Sequence, residues 1–125
     1  MDARLALRIR TFRDTGQVSR QVADFVTAEL EALAAEGATV TEDTAGMLTS
    51  HLMTALTRLL DGRAVERFPT DGQVASELDG HPEAVSRARS VSARAQRALG
   101  AALPESEINF LGLHLAVLAR YSPAS

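Results

Sequence analysis

Thr44-Ala45-Gly46-Met47-Leu48-Thr49-Ser50-His51-Leu52-Met53-Thr54-Ala55-Leu56-Thr57-Arg58-Leu59-Leu60-Asp61-Gly62 is the stretch on which the fold turns. Met47, Leu48, Leu52, Ala55, Leu56 and Leu59 recur at three- and four-residue steps, which a helix would gather onto one buried face. Ahead of it, Thr39-Val40-Thr41-Glu42 fits a capping box, with Thr41 an equal candidate for the N-cap. Asp61-Gly62 closes it as a turn. A long helix is predicted, with His51 on its apolar side and Arg58 two turns further on.

Working outward, the same periodicity repeats. From Gln17 to Glu36, Val18, Val22, Phe25, Val26, Leu30 and Leu33 form one stripe, and Gly37 follows as a C′ residue. A short helix covers Asp71 to Leu78. The next begins at Pro82, which suits a first turn, and runs to Leu99 before Gly100. The last starts near Pro104, carries Glu105 and Glu107 where the positive helix end favours them, and stops before Pro123. Its density of apolar residues suggests the central helix of a bundle. At the N-terminus, Leu5, Leu7 and Ile9 alternate with Arg4, Arg8 and Arg10, as in a strand. The Leu5–Ile9 and Ile9–Phe12 spacings, and the lack of a strand to pair with, favour a short helix there instead. The expectation is an all-α chain: a five-helix bundle over residues 16–122, preceded by a short N-terminal extension, residues 1–15.

Composition agrees and narrows the chemistry. There are 22 Ala and 16 Leu against 9 Val and 2 Ile, the vocabulary of helices rather than strands. At 125 residues the chain can build one core without a disulfide or metal. All 13 basic residues are Arg, so a lysine Schiff base and a P-loop lysine are excluded. Cys is absent, which removes thiol nucleophiles and Cys-containing zinc sites. A net charge of −3 gives little reason to expect direct nucleic-acid binding. No apolar run is long enough for membrane insertion, and residues 1–16 lack a signal-peptide pattern, so a cytoplasmic location is expected.

The histidines are the residues best suited to chemistry. His51 and His114 both lie within apolar helical stretches. The plain interpretation is a partly buried polar side chain with a hydrogen-bond partner. The functional one is that an imidazole is a good nucleophile and can carry a phosphoryl group, a charge that would change how helices meet. No metal or cofactor is expected, because the histidines are far apart, no H-E-x-x-H pattern occurs, and neither has an acidic residue four positions away. His81, beside Pro82, reads as solvated. Glu105 and Glu107 are accounted for by their place in a first turn. Arg63 with Arg67, or Arg87 with Arg94 and Arg97 on one helix face, could hold an anion, against the simpler interpretation of a charged solvent face.

Two segments resemble the PTS regulation domain, the phosphorylatable helical module of bacterial transcriptional antiterminators and activators. They are TAGMLTSHLMTALTRLLDG, Thr44 to Gly62, and LPESEINFLGLHLAVLAR, Leu103 to Arg120. The first is similar to the family's histidine helix, where an apolar run and then Arg follow the His. The second is similar to its closing helix, where Pro-x-x-Glu precedes the second histidine by seven residues. DGRAVERFP and GQVSRQVADFV look like the same domain, so the resemblance spans Gly16 to Arg120.

The resemblance implies a five-helix bundle with His51 and His114 as phosphoryl acceptors and Arg58 as a candidate nearby anion contact. The donor it implies is the histidine-containing phosphocarrier protein or a sugar-specific transport component of that system. It further implies a homodimer whose association changes on phosphorylation, and a separate regulator as a partner, with no enzymatic activity. Where the family often has Asp directly before the first histidine, this chain has Ser50. RNA-binding and helix-turn-helix effector domains find no counterpart in the 125 residues, so a stand-alone regulation domain is expected. The alternative expectation, motivated by Ser50, is a structural or interaction subunit that keeps the fold without phosphorylation. Weaker alternatives are a small enzyme with a histidine base and an arginine-held anion, and an RNA or DNA contact through Arg87, Arg94 and Arg97.

Overall fold

Asp2 starts two helices at once. Its carboxylate accepts the Leu5 N–H at 3.0 Å and the Glu42 N–H at 3.2 Å, capping the first helix and bracing the beginning of another forty residues away. The computed structural model describes residues 1–121, which form α1 (Ala3–Asp14), α2 (Arg20–Ala35), α3 (Glu42–Leu60), α4 (Asp71–Leu78), α5 (Pro82–Leu99) and α6 (Glu105–Ala119). The expected five-helix count is thereby corrected to six, while the all-α class stands, with no strand among the described residues. Ser122, the end of the expected bundle, and Pro123, the expected stop of the last helix, lie outside the described residues.

The sixth helix is α1, and it is part of the core rather than a leader. Leu5 is fully buried and Ile9 nearly so, and α1 packs on α2 and α3. Full burial of such side chains stabilises by about 1.5–3 kcal/mol each. Arg8 fastens the contact, donating from Nε to both Glu42 oxygens at 3.0 and 3.1 Å and from Nη1 to Ser50 Oγ at 2.9 Å. Gly46 makes room for it, since a Cβ there would stand 3.2 Å from the guanidinium.

Local signals explain the remaining boundaries. Ser19 caps α2 by accepting the Val22 N–H. Thr41 and Thr44 exchange side-chain-to-backbone bonds in a capping box at α3, which settles the N-cap on Thr41 rather than Thr39. Pro82 opens α5, and Gly100 ends it with φ +85°, a left-handed conformation that glycine adopts without a Cβ clash. Helix α6 packs against α3, α4 and α5, so it holds the central position expected of it. Of the predicted stripe of α3, Leu48, Leu52, Ala55 and Leu56 are buried and Leu59 partly so, but Met47 is 79% exposed, and Ala45, Thr49 and Met53 are buried outside the predicted set. No described helix is long and apolar enough to cross a membrane.

Candidate functional site

Helices α3 and α6 cross so that residues remote in sequence meet. The ring centroids of His51 and His114 lie 5.1 Å apart at a 36° tilt, and His51 is 5.7 Å from the Phe110 ring. Phe68, from the segment between α3 and α4, packs edge-on against Phe110 at 4.6 Å. That segment is pinned by Asp71, whose carboxylate accepts the Phe68 N–H at 3.0 Å and the Ser106 hydroxyl at 2.7 Å. The loop, the start of α4 and the start of α6 thus enclose one side of the histidine pair.

Glu107 completes the group. It sits in the first turn of α6, is 3% exposed, and brings Oε2 to 3.3 Å from His51 Nε2. The approach is close but off-line. His51 Nε2 and both Glu107 oxygens are buried, and none makes a hydrogen bond to the described residues. Burying a carboxylate with so little compensation is costly, and such groups concentrate at sites of function. His114 is half-buried, and burial first, then the neighbouring His51, holds its pKa below the usual imidazole range. Its ring is therefore neutral at pH 7, with a lone pair on one nitrogen.

The two candidate acceptors, His51 and His114, come together. Arg58 lies in the last turn of α3, where a cation meets the negative helix end; its Nε is buried without a hydrogen bond. The groups that meet the His51 ring at close range are Glu107, Phe110 and His114. Glu107 escaped sequence reasoning because a first-turn carboxylate already has a local explanation. The signal was present nonetheless: seven residues before His114, it shares that histidine's face of α6. Phe68 and Asp71 carried no such signal.

Several arginines of the candidate anion patches are paired with acids. Arg94 donates from Nε and Nη2 to Glu29 at 2.7 and 2.8 Å, Arg87 pairs with Glu36, and Arg63 pairs with Asp61 at 3.0 Å. Arg89 holds Glu105 at 3.0 Å, and Arg67 and Arg97 are exposed. Arg87 and Arg94 do share a face, as their spacing predicts, but it borders a cleft of about 170 Å³ between α2 and α5, with Leu48, Leu52, Leu111 and Leu115 among its lining. Among the described residues no cluster of three or more histidine and carboxylate groups could hold a metal ion.

Comparison with known protein families, characterised proteins and solved structures gives no match. The chemistry of the site is that of two imidazoles in contact, one neutral and one beside a buried carboxylate.

Proposed function

We propose that this chain is a small regulatory module that accepts phosphoryl groups on His51 and His114 and acts through altered protein–protein association. The observation that carries the proposal is the meeting of those two histidines, 5.1 Å apart, against the buried Glu107 carboxylate. A phosphoryl group adds about 1.5–2 negative charges at neutral pH. Placed beside Glu107 it would repel a carboxylate that cannot retreat to solvent, and the relief is a shift of α6 against α3. Helix α6 packs on three neighbours, so such a shift reaches most of the bundle. The resemblance to the PTS regulation domain supplies the donor, the histidine-containing phosphocarrier protein or a sugar-specific component. It also supplies the outcome, a change in homodimerisation or in the grip on a separate regulator.

The test is incubation of the purified chain with phosphorylated phosphocarrier protein, followed by mass measurement. An acid-labile gain that disappears in the double variant His51→Ala, His114→Ala is expected. No gain, or a gain the double variant retains, overturns the proposal.

A second interpretation has its own observation. His51 Nε2 is buried, and the hydroxyl of Ser50, which replaces the family's frequent Asp, is engaged by Arg8 at 2.9 Å. An interaction subunit that kept the fold and lost phosphorylation fits those facts. It predicts a stable complex with another protein that phosphoryl donors leave unchanged.

A further inference from the structure

The environment of His51 treats its two ring nitrogens differently. Nε2 is buried and faces Glu107 Oε2 at 3.3 Å, while one-fifth of the side chain stays exposed. No incoming phosphorus can reach an enclosed nitrogen without parting α3 from α6. Both carboxylate oxygens lack a hydrogen bond from the described residues, so a proton on Nε2 is the donor best placed to compensate Glu107. A neutral imidazole carries one proton. If Nε2 holds it, the lone pair is on Nδ1.

We infer that Glu107 is the positioning residue of the His51 acceptor: it keeps the proton on Nε2 and leaves Nδ1 as the nitrogen that bonds phosphorus. This rests on the phosphoacceptor function proposed above. The donor is a phosphohistidine. Its P–N bond breaks, the electron pair returns to the donor nitrogen, and the Nδ1 lone pair of His51 forms the new N–P bond. No proton has to move, because His51 keeps its Nε2–H throughout and the donor ring, protonated on its other nitrogen, leaves as a neutral imidazole. The His51 ring becomes cationic as the bond forms, and the Glu107 carboxylate already faces it, so the charge develops where a preformed anion stabilises it. In this chain the carboxylate comes from α6, not from the position before the histidine, where Ser50 stands.

The experiment is nitrogen- and phosphorus-detected NMR on the ¹⁵N-histidine-labelled full chain, before and after reaction with phosphorylated phosphocarrier protein. The expected result is the Nε2–H tautomer at His51 before reaction and an N–P correlation to Nδ1 afterwards. In Glu107→Leu the Nδ1–H tautomer rises several-fold at His51, and the Nδ1-linked phosphoryl falls by at least tenfold relative to wild type. A phosphoryl group on Nε2 of His51, or on His114 alone, overturns the inference while leaving the proposed function standing. Absence of a phosphoryl group from both histidines overturns the proposed function and this inference with it. The wild-type measurement decides the nitrogen even if the Leu variant does not fold.

Discussion

Two glutamates of this bundle are almost equally buried and differently accommodated. Glu29, on α2, is gripped by the Arg94 guanidinium through two N–H donors at 2.7 and 2.8 Å, a geometry that raises the pKa of Arg94. Glu107, on α6, meets only the edge of an imidazole, at 3.3 Å and out of line. The first arrangement is what a bundle needs to tie α2 to α5. The second leaves a charge undercompensated at the one place where two histidines touch. Local rules broken without a structural gain point to function. The contrast therefore separates a pair that holds the fold together from a site that the fold tolerates.

The largest expected effect comes from breaking the satisfied pair on its exposed side. Arg94→Met leaves Glu29 buried without a donor and should cost about 2–3 kcal/mol in urea denaturation. Glu29→Leu should cost less, about 1 kcal/mol, because the Arg94 side chain is 45% exposed and can turn to water. Equal costs would refute this asymmetry. The reverse sign is expected at the other glutamate. Glu107→Leu removes the undercompensated charge, so stability should rise by about 1 kcal/mol. A loss of that size would mean that the carboxylate is well satisfied, and the contrast would collapse.

The same contrast marks what could be read from residues alone. Helices α4 and α5 were legible to their ends, because Asp71, Pro82 and Gly100 act through their own backbone neighbours. Helix α1 was not recognised as a bundle member. Its arginines alternate with leucines and blur the helical stripe, and its place is set by Arg8 reaching Glu42 and Asp2 capping α3, neither of which leaves a local trace. Met47 shows the limit of periodicity from the other side: it has the spacing of the buried face of α3 but lies at its edge. The arginine spacing on α5 correctly predicted a shared face, yet the acids paired with it are Glu29 on α2 and Glu36 at its C-cap. Glu107 was hidden by a sufficient local explanation, since a first-turn carboxylate needs no further role.

A pH series sharpens the histidine side of the comparison. In the folded chain the pKa of His114 is pushed down, first by burial and then by His51, while the unfolded chain has the ordinary value near 6.5. Between those two values the unfolded state binds the extra proton. The stability this group contributes is thus fully present above pH 6.5 and is lost as pH falls towards the lowered pKa. Melting temperature should fall from pH 7.5 to 5.5, and His114→Leu should flatten the slope in that window. An unchanged slope would mean that His114 is more open to water than its neighbours make it.

The smallest effect is expected seven residues before Arg94 on the same face of α5. Arg87 also pairs with a glutamate, Glu36 at the C-cap of α2, but here both side chains are about half exposed, at 51% and 54%. Water already solvates both charges, so holding them together gains little Coulomb energy and restricts two long side chains. Arg87→Ala should change stability by less than about 0.5 kcal/mol, and moderate salt should erase even that. Chemically the two pairs are alike, both Arg–Glu bridges between α2 and α5 at the border of one cleft. Burial of the carboxylate distinguishes them, together with the second N–H donor that Arg94 brings to Glu29. A cost at Arg87 as large as at Arg94 would show that the α2–α5 cleft is closed to water along its whole length, and burial at Glu29 would no longer explain why that pair holds the bundle.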